Sequence, residues 1–246
     1  MKRCFANYTY WPMSIEEKVR GSETDSTFND QRGKLENALS PVAKHLPHPN
    51  IITCRIRPAL AAIGLALQPI SPVAASCFYG ANSLCDWFDG MSARVNNQRT
   101  AEGERMDPFV DKVINASYLA YLAIMEAETL AFQIASGVAV AADAYGQSVG
   151  DRGPLIEQGK EYCRVTKNPH GCKIVEGGKV SSAMANLSGK VKMALQSVAI
   201  LAMMLGGDNE AIEYASTVSL SIASVLGGIG IAQRMSVKKV LSESEK

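Results

Sequence analysis

Residues 58–85 contain no charged side chain, and neither do residues 214–233. The second stretch has about the twenty residues that cross a bilayer as a helix. The first is broken in its middle by Gln68-Pro69-Ile70-Ser71-Pro72 and reads as two helices joined by a tight return. Shorter uncharged runs cover 113–125, 129–142 and 193–207. A mean hydropathy close to zero conceals this, because the charge is concentrated in residues 1–55 and 144–192.

Charge sidedness decides between buried helices of a soluble bundle and membrane spans. With spans near 54–70, 72–93, 106–125, 129–146, 190–206 and 212–233, the returns at 68–72, 126–128 and 207–213 hold no Lys or Arg. Every loop Lys or Arg falls on the other side, including those of 94–105, 147–189 and the C-terminal Arg234, Lys238 and Lys239. That is the positive-inside pattern. It predicts an all-α integral membrane protein of six transmembrane helices in the inner (cytoplasmic) membrane, with both termini facing the cytoplasm. Residues 35–46 form a short interfacial amphipathic helix before the first span, ended by Pro47 and Pro49. The organisation is a polar cytoplasmic tail and interfacial helix over 1–47, a transmembrane domain over 48–235 and a cytoplasmic tail over 236–246. Residues 147–189 read as a polar cytoplasmic loop inserted in the domain. The N-terminus has no apolar core followed by a cleavage site, so no secretory signal is expected. A net charge of +1 implies no bulk attraction to nucleic acid.

Against this apolar background stands an acidic frame, Asp86-x2-Asp89-Gly90-x2-Ala93-Arg94-x8-Gly103-x3-Asp107-x3-Asp111. On a helix, positions three and four apart share a face, so Asp86, Asp89, Gly90 and Ala93 form one stripe with Arg94 at its edge. Asp107 and Asp111 form another. Gly90 and Ala93 leave the first stripe bare of bulk, and Gly103 does the same on the approach to Asp107. Carboxylates at a membrane are costly unless neutralised. A divalent cation, Mg²⁺ or Mn²⁺, neutralises them and in turn recruits phosphate. Arg94 supplies a forked cation suited to phosphate oxygens. An acidic pair is usually a solvated face; two pairs in register with two glycines, an alanine and an arginine are not explained that way.

The frame resembles the signature of the CDP-alcohol phosphatidyltransferases, with all eight fixed positions matched. The local wording Asp86-Trp87-Phe88-Asp89-Gly90 and Asp107-Pro108-Phe109-Val110-Asp111 is most similar to the bacterial phosphatidylglycerophosphate synthase branch. Pro49-Asn50-Ile51-Ile52-Thr53 resembles the Pro-Asn-x-x-Thr start of that family's first membrane helix, and Gly189-Lys190-Val191-Lys192 the start of its fifth. The resemblance implies transfer of a phosphatidyl group from CDP-diacylglycerol to a small hydroxyl acceptor, with release of CMP, in an enzyme that forms a homodimer.

The implied roles follow by position. Asp86, Asp89, Asp107 and Asp111 are metal ligands, and Asp111 is also the catalytic base that takes the acceptor's proton. Gly90, Ala93, Arg94, Gly103, Asn50 and Thr53 bind the CDP and phosphate end. Arg55, Arg57, Lys190 and Lys192 are candidates for an acceptor phosphate, or else snorkelling anchors. Glycerol 3-phosphate is the leading acceptor; inositol-type, serine or other acceptors stay open. Two departures bear on this. The branch places an arginine three residues after the Thr53 position, where this chain has Ile56 between Arg55 and Arg57. It also carries Ala-Arg-Glu after its fourth span, where this chain has Ala142-Asp143-Ala144-Tyr145.

Two readings of other classes compete. One is a different Mg-dependent membrane transferase such as an aromatic prenyltransferase, which has no need of Gly90, Ala93-Arg94 and Gly103 in register. The other is a non-catalytic membrane partner protein, which has no need of all four aspartates. The six cysteines do not form a disulfide framework: Cys54, Cys77 and Cys85 lie in apolar segments, while Cys163, His170 and Cys172 lack a fourth zinc ligand.

Overall fold

The computed structural model describes residues 38–96, 98, 100–148, 154–168, 187–206 and 209–244; at 101, 102, 104, 187, 188, 190 and 233–244 it describes the backbone alone. The described elements are helical. α1 runs Pro49–Leu67, α2 Pro72–Val95, α3 Ala101–Met125, α4 Leu130–Ser148, α5 Leu155–Lys167, α6 Leu187–Gly206 and α7 Glu210–Ser244.

The helix ends follow from local chemistry. Pro72 occupies the first helical position of α2, and the Ser71 hydroxyl accepts from the Ala74 N–H at 3.3 Å. This is the return expected at 68–72. Thr100 caps α3 by accepting from the Gly103 N–H at 2.9 Å. The start of α4 is fixed from outside: Glu213 of α7, itself buried, accepts from the Thr129 N–H at 2.8 Å and hydroxyl at 2.7 Å.

α1 and α2 form one hairpin and α6 and α7 another, with α7 also against α4 and α3 packed between α4, α6 and α1. Along α3 the buried residues Met106, Val110, Ile114, Tyr118 and Leu122 recur every four residues and face this core. Tyr118 meets Tyr79 edge-on with ring centres 4.8 Å apart, and its hydroxyl donates to the Ala61 carbonyl at 3.3 Å. A Cβ at Gly64 would lie 2.2 Å from that hydroxyl, so only glycine lets α1 and α3 approach this closely. Away from the core, large apolar side chains face outward, among them Ile63, Leu84, Ile134, Leu205, Ile222 and Val225.

The six long helices coincide in position with the six expected spans. Among the described residues, two helices are long and apolar enough to cross a membrane, Pro49–Leu67 and Glu210–Ala232, with Val191–Gly206 a shorter apolar helix. α2, α3 and α4 fall below that apolarity because they carry the acidic frame and the buried Asp143 and Gln147. Residues 38–43 are helical within the expected interfacial helix, and they are docked: Ala43 is buried and its carbonyl accepts from the Asn96 amide at 3.0 Å. The rest of the N-terminal tail lies outside the described residues, as do His170 and Cys172; Cys163 is exposed.

The inserted segment departs from its reading as a loop. It contains α5, which packs against α3 and the start of α1. Its inward stripe is Gln158, Glu161, Tyr162 and Val165, at helical spacing.

Candidate active site

The two acidic stripes meet at the end of the bundle where α2 finishes and α3 begins. Asp86 and Asp89 project from the last turns of α2, and Asp107 and Asp111 from the first turns of α3. What joins them comes from α1. Thr53 is buried, and its hydroxyl lies 2.7 Å from Asp89 Oδ2 and 2.8 Å from Asp107 Oδ1, within donating distance of both. Arg57 is 3 % exposed; its guanidinium donates to Asp86 Oδ1 at 2.8 Å, donates to Asp111 Oδ1 and lies 3.9 Å from Asp89 Oδ2. Asn82 accepts from Arg57 Nε at 3.3 Å.

The carboxylates differ in exposure. The Asp89 side chain is 3 % exposed, Asp111 24 % and Asp86 46 %. One guanidinium touching three of four carboxylates leaves the cluster with excess negative charge in a partly dry place.

Two cavities flank the cluster. One, of about 350 Å³, is lined by all four aspartates with Trp87, Gly90, Arg94 and Pro108. The other, of about 430 Å³, is lined by Arg57, Tyr79, Asn82, Asn115 and Ser197, among others. Asp86 and Asp111 border both.

The donor set suits a hard divalent cation: four carboxylates and no sulfur on one cavity, with uncompensated negative charge. Among the described residues no three Asp, Glu, His or Cys side chains form a group placed to hold a metal ion by themselves. Mg²⁺ rarely needs such a group, since it is held by one or two carboxylates and completes its shell with water and substrate phosphates.

The remaining expected residues are placed as follows. Gly90 opens onto the smaller cavity; a Cβ there would meet only the Arg94 guanidinium at 3.2 Å. Ala93 is partly buried one turn on. Asn50 and Gly103 are brought against each other, since a Cβ at Gly103 would sit 2.8 Å from Asn50 Oδ1. They fix the join of α1 to α3, and neither lines the two cavities. Thr53, expected at the nucleotide end, lies among the carboxylates instead.

Of the four basic residues expected at an acceptor phosphate, the three whose side chains are described do not gather. Arg55 is exposed and donates to the Thr166 carbonyl of α5 at 2.8 Å. Lys192 is buried and paired with Asp143, whose other oxygen accepts from Gln196 at 2.9 Å. Lys192 therefore clamps α6 to α4 and is not aimed at a ligand. The Lys190 side chain lies outside the described residues. Among the three described side chains Arg57 alone reaches the site, and it does so as the partner of the aspartates.

The sequence model of the CDP-alcohol phosphatidyltransferase family matches residues 46–146, from just before α1 to the last turn of α4. The CDP-diacylglycerol–glycerol-3-phosphate 3-phosphatidyltransferase of Escherichia coli (strain K12) is 31 % identical over 156 residues, covering 63 % of this chain and 73 % of the relative. Its namesakes in Shigella sonnei (strain Ss046) and Shigella boydii serotype 4 (strain Sb227) match to the same extent. This chain belongs to the CDP-alcohol phosphatidyltransferase family. It is thus a transferase of phospholipid synthesis, in a family that uses a divalent metal, and the reading as a non-catalytic partner falls away. No solved structure matches the chain. Within a CDP-alcohol phosphatidyltransferase, the matched region carries all four aspartates, Thr53 and Arg57, whereas α5 and α6 lie beyond it.

Proposed function

We propose that the protein transfers the phosphatidyl group of CDP-diacylglycerol to glycerol 3-phosphate, releasing CMP. The observation that carries this reading is the convergence of Asp86, Asp89, Asp107 and Asp111 on one cavity, ordered by Thr53 and Arg57. The acceptor is supported by the activity named for the Escherichia coli and Shigella relatives.

The smaller cavity, with Gly90 bare and Arg94 beside it, takes the CDP diphosphate. Asp86, Asp89, Asp107 and Asp111 would hold Mg²⁺ or Mn²⁺, which offsets the charge of the diphosphate and of the departing CMP. Asp111 borders both cavities, so it can receive the proton of an acceptor hydroxyl lodged in the larger one while that oxygen attacks the phosphorus carrying the diacylglycerol. Arg57, held on Asp86 and Asp111, keeps the two carboxylates apart and fixed. The outward apolar side chains and the sidedness of Lys and Arg support six spans, with both termini and the site at the cytoplasmic face of the inner membrane.

A second acceptor class has an observation in its favour. Tyr79, Asn82, Ser83, Asn115 and Ser197 give the larger cavity neutral hydroxyl and amide groups, suited to a polyol or an inositol-type acceptor. The deciding experiment is an acceptor panel on purified protein: glycerol 3-phosphate, inositol phosphate, inositol, serine, choline and phosphatidylglycerol. CMP release with glycerol 3-phosphate alone is expected. Release with inositol or inositol phosphate alone replaces that acceptor, and release with none removes the proposal.

A further inference from the structure

α1 is not a regular α-helix at its start. Residues Ile52–Ile56 are wound as a π turn, and the Arg57 N–H bonds to the Ile52 carbonyl five residues back. The sequence supplies a reason. Pro58 has no N–H to offer the carbonyl of Cys54, four residues earlier, and its ring crowds that carbonyl. A wider turn relieves the crowding. Thr53 and Arg57, four apart across this turn, share one helix face and both meet the acidic cluster.

The inserted helix sits on this turn. Tyr162 of α5 donates its hydroxyl to the Cys54 carbonyl at 2.7 Å, in place of the N–H that Pro58 lacks. Tyr162 and Val165 pack on Cys54 and Met106. The Tyr162 ring centre lies 6.0 Å from that of Phe109, which sits between Asp107 and Asp111 in α3. At the far end of α5 the Thr166 carbonyl holds Arg55. Burial raises the pKa of the Tyr162 phenol, so it stays the protonated donor.

We propose that Tyr162 is a positioning residue for phosphatidyl transfer. Through the Cys54 carbonyl it fixes the π turn that aims Thr53 and Arg57 at the four aspartates. The proposal rests on the reading of that cluster as the transfer site, and it gives the inserted segment a task in this chain.

Tyr162→Phe keeps the ring and removes only the O–H. It should lower kcat about ten-fold, the scale of one lost buried hydrogen bond, with little change in acceptor KM. Hydrogen exchange of a peptide covering 52–58 should speed up in the same variant. Pro58→Ala restores a fourth-residue N–H, so adding Tyr162→Phe to that background should cost less than about two-fold. Wild-type kcat and exchange in Tyr162→Phe would overturn the proposal, as would an equal cost in both backgrounds. If Asp111→Asn is inactive while Tyr162→Phe is fully active, only the positioning claim falls. If the wild type releases no CMP with any acceptor, the functional reading falls and the exchange contrast still judges the turn. Should Pro58→Ala not fold, the kcat and exchange of Tyr162→Phe alone decide.

Discussion

Arg57 of α1 donates to Asp111 of α3, joining two residues 54 positions apart at the boundary between the two cavities of the site. The same guanidinium holds Asp86 through its other branch. The geometry depends on a fork, which an ammonium cannot reproduce.

Arg57→Lys should therefore reduce kcat/KM by at least about ten-fold, since one of two charge-assisted bonds worth roughly 1.5–3 kcal/mol is lost. Arg57→Met leaves a crowded, partly exposed carboxylate cluster uncompensated and should destabilise the protein by about 1–3 kcal/mol, read as a drop in the detergent-solubilised unfolding midpoint. A wild-type midpoint in Arg57→Met would mean that the pairing contributes nothing.

Thr53→Val preserves shape and removes the hydroxyl between Asp89 and Asp107. The expected result is a higher Mg²⁺ or Mn²⁺ concentration at half-maximal activity, with Thr53→Ser close to wild type. Equal metal dependence in the Val and Ser variants would place Thr53 outside the site's working parts.

Asp111→Asn should cut turnover by about 10²–10⁴, the range for loss of a general base, while CDP-lipid binding is retained. Binding can be followed by the ligand-induced rise in unfolding midpoint. Normal turnover in this variant would move the base elsewhere.

Much of this site was readable from spacing. The aspartates sit three and four apart on two helices, and the Gln68–Pro72 breaker sets the start of the first of them. Arg57 was harder to read. The expected arginine lies three residues after Thr53, a position held by Ile56; Arg57, four after, shares the Thr53 face and takes the place beside the aspartates. Lys192 looked like a ligand because nothing local reveals Asp143, 49 positions away. The polar composition of 147–189 reads as a loop, yet α5 within it is amphipathic, with Leu155, Ile156, Tyr162 and Cys163 at helical spacing.

The Lys192–Asp143 pair gives a test of that reassignment. Lys192→Met should leave the acceptor KM within about two-fold and destabilise by about 3–5 kcal/mol, because it strands a buried carboxylate. Adding Asp143→Leu should recover much of that loss. An acceptor KM raised ten-fold with an unchanged midpoint would return Lys192 to the binding site.

If the four aspartates form the transfer site, CMP release depends on each of them and on the metal they hold. Purified protein in mixed micelles with CDP-diacylglycerol and glycerol 3-phosphate should release CMP only when Mg²⁺ or Mn²⁺ is present. Asp89→Asn and Asp107→Asn should each reduce that release by at least about a hundred-fold, on the scale of lost electrostatic stabilisation of the departing group. CMP release at the wild-type rate from either variant would contradict the account.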